Sequence, residues 1–204
     1  MDADNLGPAQ IDSPRAWLVV VGVFFSSFVT LGITYSFGAF FTDMATEFES
    51  DSAATSAIFA ITTFAFFWLS LITGRLADRW GPKRVLLVGA ASLFLGLLAT
   101  SYVQSLALGY VTYGVGVGIA AATGYIPMVA VVGGWFNQHR ATAVGLAVAG
   151  IGAGTLVMSP LSAALVDAYG WRQTYRLLGV VGSVILALCT LLIERPPGSN
   201  GAGQ

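Results

Sequence analysis

The sequence predicts an all-α membrane protein with six transmembrane helices, on three observations. Apolar residues fill 56% of the 204 positions and charged residues only 9%, with a mean hydropathy of +0.78. A soluble domain carries roughly 25% charged residues, and a chain this short cannot bury so much apolar surface in water. The charges are also missing in blocks: none falls in 16–42, 52–74, 85–138, 141–166 or 177–193. Those blocks are continuously apolar, whereas the strands of a membrane β-barrel alternate over roughly ten residues. The same composition excludes a disordered chain, a nucleic-acid binder and a secreted disulfide scaffold.

A spanning helix needs roughly 20 apolar residues. The 27-residue block predicts helix one, behind an N-terminal tail (1–15) that carries Asp2, Asp4 and Asp12. That block is too long for a cleaved signal core, so helix one is expected to remain. The 23-residue block predicts helix two. The 54-residue block holds helices three and four, parted by a polar turn at Ser101, Tyr102, Gln104 and Ser105. Blocks of 26 and 17 residues predict helices five and six. The bundle is expected over 16–195, with 196–204 as a C-terminal tail or the start of a central linker. Pro127 and Pro160 are expected to bend helices four and five. Gly114 with Gly118, and Gly150 with Gly154, have the small-xxx-small spacing of close helix contacts. Cys189, the lone cysteine, reads as packing.

Basic residues stay on the cytoplasmic side. Arg15, Arg75, Arg79, Lys83, Arg84, Arg140 and Arg195 fall at one end of the predicted bundle, against Arg172 and Arg176 at the other. The expected protein is therefore integral to a plasma or inner membrane, with both termini in the cytoplasm.

Two loops repeat. Asp78-Arg79-Trp80-Gly81-Pro82-Lys83 and Asp167-Ala168-Tyr169-Gly170-Trp171-Arg172 both read acid, any, aromatic, Gly, any, basic, 89 residues apart. Tyr35 and Tyr125 share that offset within one residue. Three helices separate the members of each pair, which predicts a 3+3 inverted repeat.

The longest informative string is Gly74-Arg75-Leu76-Ala77-Asp78-Arg79-Trp80-Gly81-Pro82-Lys83-Arg84. Gly74 is expected to let helix ends approach, Gly81 to permit a sharp turn, and Pro82 to open the next helix. Asp78 can pair with an arginine or a helix N-terminus. The string resembles the signature loop of the major facilitator superfamily. The resemblance implies half of that fold, with Gly74, Asp78, Arg79, Gly81 and Arg84 as a conformational motif that clamps two six-helix halves. Further stretches resemble its monocarboxylate-porter and oxalate/formate branch. They are Tyr35–Phe41, Gly124–Pro127, Trp135–Ala141, Gly145–Ala147 and Tyr169–Arg172. The implied activity is secondary transport of a small organic anion such as a monocarboxylate. The implied partners are a small-molecule substrate, the lipid bilayer and a second six-helix half on the same or a separate chain. Helix one lacks the lysine that animal monocarboxylate carriers have there.

The helix interiors hold no ionisable residue apart from Tyr and Cys. The substrate-lining candidates are therefore Tyr35 and Tyr125, then Trp68 and Tyr113, with Thr123 and Ser159 behind them, because a phenol offers an apolar face and a hydrogen bond. No metal cluster, nucleophile–base pair or cofactor motif points to an enzyme. His139 reads as solvated in a basic loop. The alternatives are a non-transporting scaffold or regulatory protein, a truncated inactive fragment, and a channel, for which no filter loop is visible.

Overall fold

The computed structural model describes residues 11–197. The expectations for Asp2, Asp4 and most of the two tails lie outside the described residues. The helices are α1 (Pro14–Tyr35), α2 (Gly38–Glu47), α3 (Ser52–Trp80), α4 (Pro82–Thr100), α5 (Leu106–Gly109), α6 (Gly116–Gly124), α7 (Ile126–Trp135), α8 (Arg140–Tyr169) and α9 (Trp171–Leu192). A π-helical turn, Tyr110–Val115, joins α5 to α6. They form six candidate membrane spans: α1 with α2, α3, α4, α5 through α7, α8, and α9. The polar turn between spans three and four lies at 101–105, as the sequence indicates.

The helices outrun the charge-free blocks by about a turn. Arg75, Asp78 and Arg79 belong to α3, Asp43 and Glu47 to α2, and Arg172 and Arg176 to α9. Polarity marks where the chain meets water, whereas backbone geometry stops the helix. Gly81 (φ 95°) and Gly170 (φ 76°) each end one helix and cap the next. Only glycine adopts that backbone without strain. Gly81 N–H donates to Ala77 O and Gly170 N–H to Val166 O, at 2.9 and 2.8 Å, so the two repeated loops have one conformation.

The packing obeys the same repeat. Span one lies along span five as span four lies along span two, while spans three and six pack on each other. The glycine spacings build the two equivalent crossings. A side chain at Gly150 or Gly154 would strike the carbonyl oxygen of Phe24 or Phe28 on α1. One at Gly114 or Gly118 would strike Ile61 or Ala65 on α3. In lipid, such close backbone approach supplies the dispersion that holds helices together. Gly74 departs from expectation: nothing lies within 4 Å of a side chain placed there.

Both prolines lie in helix. Pro160 sits within the unbroken α8, while Pro127 falls in the first turn of α7, where span four is interrupted. Cys189 is free and buried.

The charges collect at opposite ends. At one, Glu194 pairs with Arg15 (3.5 Å) and Lys83 (3.7 Å), and Arg195 reaches over Gly81 to the carbonyls of Asp78 and Arg79. At the other, Arg172 binds Glu47 (2.6 Å) and the carbonyls of Ser101 and Val103 (2.8 Å each). Trp171 Nε1 donates to the same Glu47 carboxylate at 2.6 Å. This fastens the ends of spans one, three and six together.

Candidate functional site

Two spans are interrupted within the bundle, at equivalent places in the repeat. Span one breaks at Ser36 and Phe37, between α1 and α2; span four breaks at Tyr125, between α6 and α7. Ser36 and Tyr125 are 89 residues apart, the loop offset. Pro127 explains the second break, because it has no N–H to give the Thr123 carbonyl four residues back and its ring crowds that oxygen. An interruption inside lipid needs its freed backbone groups satisfied by neighbours. Here the carbonyls on either side of Thr123 are met by other spans. Ser26 Oγ donates to Gly124 O at 2.6 Å, and Thr73 Oγ1 donates to Ala122 O at 2.8 Å. At the first break, Ile33 O accepts from Ser36 Oγ (2.8 Å) and from the Tyr113 hydroxyl (3.3 Å) of span four. Each break is thus braced by the span equivalent to it.

The two sequence-predicted tyrosines flank these breaks on one wall. The Tyr35 ring lies 6.2 Å from Phe59, and the Tyr125 ring 6.3 Å from Phe66. Phe59 and Phe66 are seven residues apart on α3, roughly 10 Å at 1.5 Å per residue. The tyrosines therefore attach at different depths along α3. Tyr35 is 45% exposed and Tyr125 and Phe59 are half-buried, whereas Phe66 is buried beneath Tyr125.

The other two candidates lie elsewhere. Tyr113 is fully buried between Phe37 (5.3 Å) and Tyr175 (5.5 Å), behind the wall rather than on it. Trp68 is 60% exposed, but it follows Phe66 by two residues, roughly 200° around the helix. It packs tilted beside Phe64 (5.8 Å) on the outer face of α3, away from both tyrosines. Thr123 is buried, and Ser159 is half-buried on α8.

The signature string forms the end of α3 and the start of α4. Asp78, Arg79 and Arg84 are exposed. The expected partner of Asp78 is not found: among the described residues only its backbone carbonyl is engaged, by Arg195. Besides Glu194, the acid engaged at this end is Asp12, to which sequence reading gave no partner. Asp12 accepts hydrogen bonds from the N–H groups of Asn137 and Gln138 (3.2 Å each) and His139 (3.5 Å), and so ties the N-terminal segment to the start of α8. Desolvation raises its carboxyl, but the donations from Gln138, Asn137 and His139 outweigh it and hold the group below 3.8. His139 itself is exposed. No group of three or more metal-ligating side chains occurs among the described residues.

Sequence reading did not single out Ser26, Thr73, Phe59 or Phe66. Each looks like an ordinary residue of an apolar helix; the one available signal was Pro127, which marks where carbonyls need outside donors.

Comparison with known proteins places this geometry. The family model described as Major Facilitator Superfamily matches residues 23–204. The chain is 32% identical over 181 residues to monocarboxylate transporter 13 of Rattus norvegicus, covering 89% of this chain and 42% of that protein. It is 29% identical over 202 residues to monocarboxylate transporter 14 of Homo sapiens, covering 98% of this chain and 39% of the relative. The chain thus spans about two fifths of the length of these relatives, which are transporters rather than enzymes. A crystal structure of the peptide transporter POT superposes with a TM-score of 0.72 at 18% identity, over 94% of this chain and 41% of that one. The inward-open xylose transporter XylE from E. coli gives 0.58 at 16% identity, over 90% and 48%. At those identities the likeness is one of fold: six spans matching half of each transporter.

Proposed function

The chain belongs to the major facilitator superfamily, and from that premise we propose that it is a six-helix half of a secondary transporter that moves a small organic anion by alternating access. It is an integral membrane protein of that family. The observation that carries the functional reading is the wall formed by Tyr35, Phe59, Phe66 and Tyr125 at two braced helix breaks. Such breaks, placed where two inverted repeats meet, are where secondary transporters build their sites. The phenols give an anion hydrogen-bond donors, and the half-buried Phe59 gives its carbon skeleton an apolar contact, with Phe66 packed behind Tyr125. The relatives named monocarboxylate transporters support a monocarboxylate as the solute.

A second six-helix half completes the path. Two features favour this. The relatives are more than twice as long, and Gly74 and Asp78 lie open at the end of α3, available to a neighbour. In this reading Gly74, Asp78, Arg79, Gly81 and Arg84 hold the halves in one of their two arrangements. Seven basic residues at the end bearing Glu194, against two at the end bearing Glu47, orient both termini to the cytoplasm.

Counterflow of radiolabelled lactate, oxalate and formate in proteoliposomes tests the function. The protein with both halves assembled is expected to exchange at least one of them. Assembled halves that move none of a broad solute panel would leave a membrane scaffold instead.

A further inference from the structure

We propose that the groove between α4 and α9 holds one phospholipid with an anionic headgroup, its phosphate in the basic cavity at the Glu194 end and an acyl chain along the two helices.

Two cavities carry the inference. The first, about 600 Å³, is lined by Arg79, Lys83, Arg84 and Arg195, with Glu194 as its one acid. That carboxylate is already shared by Lys83 and by Arg15. Arg79 and Arg84 have no ion partner among the described residues. The cavity lies at the start of α4, which opens without a side-chain cap or an acidic first turn. Its free N–H groups add to the attraction for an anion. Charge and space together fit a phosphate.

The second cavity, about 340 Å³, is lined by α4 between Leu87 and Phe94 and by α9 between Val180 and Ala187. Ser183 is its one polar side chain, and that hydroxyl is spent on Gly179 O at 2.5 Å. The first cavity lies between the α3–α4 turn and the residues that follow α9, and the second between α4 and α9 themselves. Lys83, Leu87 and Ala91 follow at four-residue spacing, so one face of α4 leads from the first cavity into the second. Arg84 to Phe94 is ten residues, roughly 15 Å of helix, which is half of a hydrocarbon core of roughly 30 Å. A charged head with an apolar track one leaflet deep matches a lipid, whereas a soluble phosphate leaves the track unexplained. Trp80, half-exposed at this end, sits where aromatic rings meet headgroups.

The test is native mass spectrometry of the 204-residue chain released from detergent after mixing with phosphatidylglycerol or phosphatidylcholine of identical chains. Phosphatidylglycerol is expected to be retained about tenfold better, given the several basic groups at the membrane surface. Lys83→Gln with Arg84→Gln is expected to bring the two lipids near parity. Ala91→Phe, at an exposed position in the groove, is expected to lower retention of both while helicity holds. A phosphatidylglycerol with a photoactivatable acyl chain should label 87–94 or 180–187. Equal retention of the two lipids overturns the proposal, as does a preference unchanged in the double variant. Displacement of the lipid by millimolar inorganic phosphate would reduce the site to one for free anions. Full retention by Ala91→Phe, or labelling elsewhere, would remove the acyl track.

Discussion

The hydroxyl of Ser26 donates a 2.6 Å hydrogen bond to the carbonyl of Gly124, 98 residues away, where another span is interrupted. The bond joins the two inverted repeats across the middle of the bundle. Thr73 does the same for Ala122 from a third span. Ser26→Ala is expected to destabilise the bundle by about 1 kcal/mol, within the range of interhelical hydrogen bonds in membranes. The double variant with Thr73→Ala should lose more than the sum, since the interruption at Tyr125 would then lack both outside donors. Unfolding in mixed micelles measures this. Additive or negligible effects would mean that the break holds itself.

The parallel contact of α1 with α8 depends on two glycines of the four on this stretch. Gly154→Ala pushes a methyl group into the Phe28 carbonyl, and Gly150→Ala does so at Phe24. Each should cost about 1–3 kcal/mol through overpacking. Gly152→Ala meets nothing within 4 Å and is expected to be neutral or up to about 1 kcal/mol stabilising, because alanine is the better helix former. Thermal melting of the three variants checks the contrast, and equal losses would contradict the crossing.

Arg172 meets the Glu47 carboxylate and two backbone carbonyls with its planar fork. A lysine supplies charge but not that fork. Arg172→Lys is therefore expected to melt nearly as early as Arg172→Ala. Glu47→Gln keeps an acceptor for Trp171 and should be milder than Glu47→Ala. A lysine variant that melts with the parent would reduce the contact to a simple charge pair.

Asp12 gives a pH test with a defined sign. The hydrogen bonds from Gln138, Asn137 and His139 hold its folded carboxyl below the ordinary value, so the unfolded chain takes up the proton first. Its stabilising contribution is full well above the ordinary carboxylate range and is lost as pH falls through the folded value. Asp12→Ala should melt earlier than the parent at pH 6. The gap should close as the pH drops below 3.8. A gap independent of pH would assign the effect to the backbone around Asp12 rather than to its charge.

Much of this architecture is legible in the residues. Blocks without charge mark the spans, and the Asp-x-aromatic-Gly repeat marks two loops that share one backbone conformation. What is not legible is which side of each helix faces which neighbour. In water an apolar stripe identifies the buried face, but in lipid every face is apolar. Trp68 therefore stands among the lining candidates behind Tyr125, although it lies on the outer face of α3 and Tyr125 on the wall. Tyr113 likewise offers no sign in sequence that its hydroxyl is committed to Ile33. The interruption at Tyr125 was visible only as Pro127, and the donors that brace it come from helices remote in sequence.

The central claim is that Tyr35 and Tyr125 face a solute path. Counterflow by the assembled protein, measured for Tyr35→Phe, Tyr125→Phe and the double variant, tests it most directly. Each hydroxyl lost should raise KM several-fold, about 1 kcal/mol of binding, while expression and helicity hold. Exchange by the double variant with parental KM and kcat would contradict the claim and move the path away from this wall.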